Sequence, residues 1–298
     1  MKRLHEGNSI VTVAIYLIVI LLAFIALYPM YYVLILSLSE PAAAVTMRVY
    51  WLPKGFYLDT YKMFFIDKSL WRAYLNTIMY AFVTTILMLV TSVLAAFPLT
   101  YKKLIGRKFI NMFLLIPMYI SGGLIPTFIL MTKLGLYGSP LAIILPGCFS
   151  IWYIILVKSY FNTIPDALYE SASIDGANNY QILLNIYLPS SKPILAVIAV
   201  YTIVGVWNSW FSSMVYLPVE KWQPLQMHLR RILVLMQGID MSAANMGPEY
   251  AEEIAAIKLS SIQIRYAMII FTTLPVIFTY PFFQKYFVKG VMLGSLKE

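Results

Sequence analysis

Six long stretches of the chain are apolar and free of charge, and polar connections separate them. Each approaches or exceeds the length of about 20 residues that an α-helix needs to cross the hydrocarbon core of a bilayer. None of them contains Asp, Glu, Lys, Arg or His. The pattern predicts an all-α integral membrane protein with six transmembrane helices. The predicted spans are Ile10–Leu36, Ala73–Leu99, Phe109–Met131, Leu141–Val157, Pro193–Leu217 and Tyr266–Phe283.

Composition indicates the same class of protein. Of the 298 residues, 61% are hydrophobic and 12% are charged, and the mean hydropathy is +0.77, which is too apolar for a soluble domain. We expect one transmembrane domain over residues 1–298. The net charge is +9, but the basic residues are scattered among the connections, so the expected partner is the lipid bilayer and not a nucleic acid. The single cysteine, Cys148, excludes a disulfide framework and a thiolate metal site.

The short connection 100–108 predicts the orientation in the membrane. Short loops rich in Lys and Arg stay in the cytoplasm. Both termini and the loop 162–192 are then also cytoplasmic, and the segments 37–72 and 218–265 face outward. The four basic residues of the short connection are Lys102, Lys103, Arg107 and Lys108.

The cytoplasmic loop 162–192 carries a polar, helix-capable sequence between two apolar spans. Pro165 and Asp166 form a helix-start signal, and Gly176 lacks a Cβ and suits the left-handed turn that ends one helix before another begins. Glu170 and Asp175 lie between these signals. The sequence predicts a helix–turn–helix held against the membrane on both sides, a shape suited to a grip on a soluble partner.

The residues of this loop match a known pattern. Glu170-Ser171-Ala172, three residues, Gly176, nine residues and then Ile186-x-Leu188-Pro189 resembles the EAA loop of permease subunits in binding-protein-dependent ABC importers. Ser171 replaces the middle alanine of the pattern, a small residue for a small residue. The stretches 173–177, 207–210 and 280–290 are similar to the maltose-type carbohydrate permeases, within them to the branch associated with complex oligosaccharides.

The resemblance implies a type I ABC importer permease fold in the cytoplasmic membrane of a bacterium. It implies a second, homologous permease subunit as partner, two cytoplasmic ATPase subunits and an extracytoplasmic carbohydrate-binding protein. ATP and Mg²⁺ are bound by the ATPase, so this chain is expected to be a transport subunit without a cofactor and without enzymatic activity. The tail 284–298 resembles family tails that reach toward the ATPase.

The resemblance also assigns roles within the EAA-type loop. The glutamate position, Glu170, meets donors in a groove of the ATPase; Asp175 and Gly176 shape the turn; and the residues at 186–189 anchor the loop to the next span. The predicted ATPase-coupling residues are Glu170, Ala172, Asp175, Gly176, Ala177, Ile186, Leu188 and Pro189.

The transport pathway has candidates in the fifth and third spans. Sugars are bound by aromatic faces and by amide or hydroxyl groups, and the fifth span offers Trp207, Asn208 and Trp210. Packing between helices is the alternative for all three, since polar residues in spans often hold helices together. Gly122 and Gly123 predict a broken or kinked third span, which serves a gate or only packing.

The sequence argues against three other functions. An ion-coupled secondary carbohydrate transporter, the main alternative, usually places ionisable groups inside its spans, and these spans have none. A channel needs a polar filter, and none stands out in the sequence. An intramembrane enzyme needs acids, bases or metal ligands at membrane depth, and the two histidines fall in polar flanks. The chain also lacks a G-x-x-x-x-G-K-[ST] phosphate loop, so energy is expected to come from a partner through the loop 162–192. In the outer segment, the acidic stretch 249–253 is either a docking surface for the delivery protein or a solvated face.

Overall fold

The computed structural model describes residues 9–46, 49–243, 261–279 and 281. Within these ranges the regular structure is helical, and the only β-type contact is an isolated bridge between Ser39 and Phe56. The acidic stretch 249–253 and the tail 284–298 lie outside the described residues. The helices are α1 (Ser9–Ser37), α2 (Pro41–Val45), α3 (Asp59–Ile66), α4 (Lys68–Thr100), α5 (Arg107–Tyr119), α6 (Leu124–Lys133), α7 (Leu141–Gly147), α8 (Ile151–Phe161), α9 (Asp166–Ile174), α10 (Asn179–Ile182), α11 (Leu188–Ser190), α12 (Lys192–Trp207), α13 (Trp210–Tyr216), α14 (Leu225–Ala243) and α15 (Ser261–Thr279).

The chain forms two compact units, of which the smaller comprises residues 1–67 and 231–273. Its helix α1 is apolar on all sides, and within the described part of this unit most of its side chains between Val11 and Leu27 are exposed. Only its carboxyl end is buried, where Ile35 and Leu36 pack with Val49. The bare apolar surface of α1 requires lipid or another subunit around it.

The larger unit comprises residues 68–230 and 274–298 and is built around α4. Helices α8 and α12 pack against α4, and together they bury one apolar cluster that includes Ala96, Val157 and Ile198. A second cluster toward the other end of α4 includes Tyr80 and Leu217. The loop 162–192 is continuous with the first cluster, so the same core supports α4 and the loop.

In the part of the chain that the structure describes, four helical stretches are long and apolar enough to cross a membrane, and two bent pairs also qualify if each is one span. The four stretches are Val11–Ser37, Lys68–Thr100, Leu141–Phe161 and Ser261–Thr279, in agreement with the first, second, fourth and sixth predicted spans. The predicted break in the third span is confirmed: α5 and α6 meet at 110°, and Gly123 at the joint has a φ of +83°.

The fifth span was predicted as one helix over 193–217, but the structure divides this segment into two helices. Helix α12 ends at Trp207 and α13 begins at Trp210, because the chain turns at Asn208 and Ser209. The Ser209 hydroxyl donates to the Val206 carbonyl at 2.6 Å, and the Trp210 N–H donates to the Asn208 carbonyl at 2.8 Å. Such local hydrogen bonds compete with the helical pattern, and the uniformly apolar sequence around them gives no sign of the turn.

Candidate functional site

The loop 162–192 begins where α8 ends. The Thr163 hydroxyl donates to the Tyr160 carbonyl at 2.7 Å, which closes α8, and α9 then starts at Asp166, one residue after Pro165. The Asp166 carboxylate accepts from the Lys102 ammonium at 2.7 Å. This hydrogen bond and the attraction to Asp166 raise the pKa of Lys102, and Glu170 adds a smaller contribution of the same sign. The exposed pair contributes little stability, but it places the connection 100–108 beside α9.

The turn after α9 explains the spacing of three predicted coupling residues. Gly176 has a φ of +82°, a left-handed conformation that glycine adopts without strain. The Ala177 N–H donates to the Ala172 carbonyl at 2.9 Å and the Gly176 N–H donates to the Ser173 carbonyl at 3.2 Å. These two bonds form a Schellman motif, in which small residues before and after the glycine meet. Ala172 and Ala177 pack together onto the core of the unit.

The outer face of α9 is exposed. Glu170 lies on this face, and Asp175 lies exposed at its end. Four large apolar side chains of the loop are also exposed: Leu168, Ile174, Tyr180 and Leu184, of which Ile174 is 86% exposed. A carboxylate among uncovered apolar side chains is typical of a surface that binds another protein.

The second half of the loop is tied to the first by side chains. Asn178 and Gln181 form a capping box, in which each side chain accepts from the backbone N–H of the other at 3.0 and 2.8 Å. The Tyr169 hydroxyl bonds Asn179 Oδ1 at 3.0 Å. The two short helices α9 and α10 therefore form one body.

The return of the loop to the membrane contains one wide helical turn, Leu183–Tyr187, just before Pro189. Proline has no N–H and crowds the carbonyl four residues before it, and a wide π turn relieves that conflict. Ile186 and Leu188 are half-buried against the core, whereas Pro189 is exposed. A buried aromatic anchor is Tyr187, whose ring packs edge-on against Phe97 at 5.1 Å and Phe161 at 5.2 Å.

A cavity of about 1240 Å³ separates α9 from the connection 100–108. Its membrane-side wall is apolar, with Leu94 and Phe97, and its mouth is charged, with Lys103, Arg107 and Glu170. The ion pair between Lys102 and Asp166 lies in its wall. The cavity leaves α9 supported on its buried side and uncovered elsewhere.

A second link joins α5 to α8 near the same end of the unit. The Lys158 ammonium donates to Asn111 Oδ1 at 2.6 Å, and Asn111 Nδ2 donates to the Arg107 carbonyl at 2.7 Å. Lys158 falls one residue after the predicted fourth span, and α8 includes it. The polar contact holds the broken third span against α8.

The three pathway candidates lie in different environments. Trp207 is 5% exposed and packs edge-on against Tyr74 at 5.8 Å, so within this chain it is a packing residue. Asn208 is exposed at the break after α12, and Trp210 is 40% exposed at the start of α13. The guanidinium of Arg230, from α14, lies over the Trp210 ring at 4.4 Å.

Sequence reasoning missed Tyr187, the pair of Lys102 with Asp166, and Arg230 beside Trp210. For Tyr187 a signal existed, since an aromatic residue between Ile186 and Leu188 sits in an apolar run. For the two charged contacts no signal existed, because the partners come from different elements. Among the described residues no group of three or more His, Cys, Asp or Glu side chains is arranged to hold a metal ion.

Comparisons with known proteins identify the family of the chain. Residues 88–293 match the family model described as binding-protein-dependent transport system inner membrane component. The chain is 33% identical over 292 residues to the polygalacturonan/rhamnogalacturonan transport system permease protein YtcP of Bacillus subtilis (strain 168), covering 97% of this chain and 99% of YtcP. It is 25% identical to the arabinooligosaccharides transport system permease protein AraQ of the same organism, over the full length of both.

A solved structure is also similar. It is a crystal structure of a bacterial ABC transporter involved in the import of the acidic polysaccharide alginate. One of its chains superposes with a TM-score of 0.82 at 32% identity and covers 95% of this chain and 98% of its own length. The similarity includes both compact units and the loop between α8 and α12.

Proposed function

This chain belongs to the family of binding-protein-dependent transport system inner membrane components, and we propose from that membership how its loop 162–192 drives transport. The chain is a permease component of a carbohydrate ABC importer, and its relatives give no support to an ion-coupled secondary transporter. We infer that the loop is the element gripped by an ATPase subunit. Energy release and substrate passage then belong to different subunits.

One observation carries this proposal: α9 and its turn form a rigid body with an uncovered face. The Schellman turn at Gly176 and the hydrogen bond between Tyr169 and Asn179 fix the shape of the tip. Tyr187 fixes its base in the core that also contains α4 and α12. A displacement applied at Glu170 therefore reaches the membrane helices without being absorbed by the loop.

The proposed topology has six spans in a single transmembrane domain of the type I importer fold, with both termini in the cytoplasm. It counts α5 with α6 as the third span and begins the fifth span at α12, so that residues 179–190 stay in the cytoplasmic loop. The ion pair between Lys102 and Asp166 supports it, because two connections joined by a salt bridge lie on the same side of a membrane. The basic connection 100–108 then assigns that side to the cytoplasm.

The proposed assembly contains a second, homologous permease, two ATPase subunits that bind ATP and Mg²⁺, and a carbohydrate-binding protein outside the cell. Its location is the cytoplasmic membrane of a bacterium. The uncovered apolar surface of α1 supports a position against lipid or the second permease. The exposed face of α9 supports a soluble partner, since lipid does not stabilise a carboxylate.

In the proposed cycle the ATPase subunits close on ATP and carry α9 with them. The coupling residues act in two groups. Glu170 contacts the ATPase, and the others shape the turn or hold the loop to the core: Ala172, Asp175, Gly176, Ala177, Ile186, Leu188 and Pro189. The movement of the loop exchanges an inward-open pathway for an outward-open one.

The proposed substrate is an oligosaccharide. Two of the similar proteins carry names that refer to acidic polymers, polygalacturonan and alginate, and a third name refers to arabinooligosaccharides. These names span charged and neutral sugars. The charge of the substrate therefore has to be inferred from side chains of this chain.

Charge reversal at Glu170 tests the coupling role. In complete importers reconstituted into liposomes, we expect Glu170→Lys to lower substrate-stimulated ATP hydrolysis about tenfold or more, because like charges facing each other at an interface cost several kcal/mol. Asp59→Lys reverses another exposed acid, on the predicted outer segment, and is expected to leave the stimulation unchanged. Assembly of the variant is checked by copurification of all subunits. Wild-type stimulation in the assembled Glu170→Lys complex would refute the coupling role.

A further inference from the structure

We propose that Arg230 and Trp210 form a subsite for a sugar carboxylate, so that the importer takes up acidic, uronate-containing oligosaccharides. This inference rests on the proposed function and names the class of its substrate. The predicted fifth span 193–217 contains no Lys, Arg or His, so the span by itself offers no cation to an acidic sugar. Helix α14 supplies that partner from outside the span.

The contact between the two residues is defined by three groups. The Arg230 guanidinium carbon lies 4.4 Å from the centroid of the Trp210 ring, and one guanidinium nitrogen contacts the sulfur of Met214. The Trp210 ring meets Phe211 edge-on at 5.6 Å. Neither group with which Arg230 makes these contacts is an anion, so its positive charge is not neutralised by them.

The position of Arg230 is set by the segment that leads into α14. Asn76 Nδ2 donates to the Lys221 carbonyl at 2.8 Å, and the Tyr80 hydroxyl donates to the Trp222 carbonyl at 2.7 Å. The Leu225 N–H donates to the Thr77 hydroxyl at 2.8 Å. Polar groups of α4 thus fix the start of α14 in the same compact unit, and Arg230 is held in place before any ligand arrives.

One face of α12 leads to this pair. Tyr201, Gly205 and Asn208 follow each other at helical spacing, and all three are exposed. A Cβ at Gly205 would meet nothing within 4 Å, so the face has a notch between an aromatic ring and an amide. Aromatic faces and amides bind the apolar faces and hydroxyls of sugar rings. The face continues to Trp210, where the cation lies.

The chemistry of a guanidinium favours a carboxylate as the ligand. Its planar fork donates two parallel hydrogen bonds to a carboxylate, and stacking on an aromatic ring fixes the plane of the fork. A hydroxyl of a neutral sugar accepts only one such bond and gains no charge pairing. The subsite therefore distinguishes a uronate from its neutral counterpart.

A purely structural role for Arg230, a clamp between α13 and α14, makes a different prediction. Loss of a clamp impairs uptake of every sugar to the same extent. Loss of a carboxylate subsite impairs uptake of acidic sugars selectively. The ratio between two substrates that differ only in charge separates these roles.

The test uses the complete importer in liposomes with ATP inside and two probes, trigalacturonate and its neutral methyl ester. We expect Arg230→Gln to shift the ratio of their half-saturating concentrations about tenfold or more against trigalacturonate, the effect of losing a hydrogen bond to a charged group. Arg230→Lys, which keeps the charge but not the fork, is expected to shift the ratio less. Lys221→Gln removes a different cation that lies over a ring, that of Trp222, and is expected to leave the ratio unchanged.

Each result is decisive. An unchanged ratio in Arg230→Gln, with both substrates impaired equally or neither impaired, overturns the carboxylate subsite. Uptake of the methyl ester but not of trigalacturonate by the wild-type importer also overturns the carboxylate subsite. The proposed permease function is unaffected by that result. If the wild-type importer takes up neither probe with ATP, the assignment of acidic sugars as substrates is overturned. The coupling test at Glu170 then decides the proposed function separately.

Discussion

At the scale of single residues, the loop 162–192 shows which parts of a motif a sequence can explain. The need for glycine at position 176 follows from its left-handed backbone, and the turn was predicted from the sequence for that reason. The small residues Ala172 and Ala177 meet across the same turn. By contrast, Lys102 and Asp166 are 64 positions apart, and only the folded chain brings them together. Arg230 lacked a sequence signal for the same reason.

Gly176→Ala tests the turn directly. A Cβ at this position meets nothing within 4 Å, so the cost is that of the left-handed backbone alone, about 1–2 kcal/mol. We expect amide hydrogen exchange in the segment 172–182 to accelerate about tenfold, measured by mass spectrometry. Gly176→Asn is expected to have a smaller effect, because asparagine tolerates this conformation.

Gly138→Ala is the matched control for that experiment. Gly138 has a φ of +80° and equally open surroundings, but it lies in another turn. Exchange in the segment 172–182 is expected to remain as in the wild type. Unchanged exchange in Gly176→Ala would mean that the turn does not hold the tip of the loop.

At the scale of elements, composition predicted the long helical stretches, whereas local hydrogen bonds divide the single helix predicted over 193–217. Apolar length gave four helical stretches, and Gly122 with Gly123 gave the break in the third span. The sequence 193–217 predicts a continuous helix because its few polar residues are scattered in an apolar stretch; they are Thr202, Asn208, Ser209, Ser212 and Ser213. Its division follows from bonds that Asn208 and Ser209 make to the adjacent backbone.

Tyr187→Ala tests the base of the loop as an element. The ring is 6% exposed between Phe97 and Phe161, and removal of a buried aromatic side chain costs about 3–5 kcal/mol. We expect a lower melting temperature of the purified complex and reduced substrate-stimulated ATP hydrolysis. Tyr187→Phe keeps the ring contacts and is expected to retain both.

Tyr180→Ala provides the comparison within the same loop. Tyr180 is 75% exposed, so its truncation is expected to change stability by less than about 0.5 kcal/mol. Equal melting temperatures for Tyr187→Ala and Tyr180→Ala would contradict the anchoring role of Tyr187.

At the scale of the whole molecule, the family and its transport function follow from the loop and its relatives, whereas the topology remains a prediction with one geometric support. Charge density in the connection 100–108 predicts the cytoplasmic side, and the salt bridge to Asp166 links the loop 162–192 to that connection. Sequence alone does not provide this link, since long loops cross membranes largely regardless of charge.

Accessibility labelling tests the topology. In a Cys148→Ser background, single cysteines are introduced by Lys103→Cys, Ile174→Cys and Lys62→Cys. All three native side chains are exposed. We expect an impermeant maleimide to label position 62 from outside the cell, and positions 103 and 174 only from inside. Labelling of 103 and 174 from opposite sides would exclude the proposed topology.

The corner between α12 and α13 has a consequence for the transport cycle. The Val204 carbonyl accepts from the Asn208 N–H, the Val206 carbonyl from Ser209, and the Asn208 carbonyl from Trp210. Because donors of the same segment already bond these carbonyls, the corner requires no water to remain bent in an apolar environment. We therefore expect the geometry of the corner to be the same whether or not water fills the adjoining space. On the proposal that this corner lines the pathway, we expect a sugar to meet the same polar backbone there in the inward-open and outward-open forms.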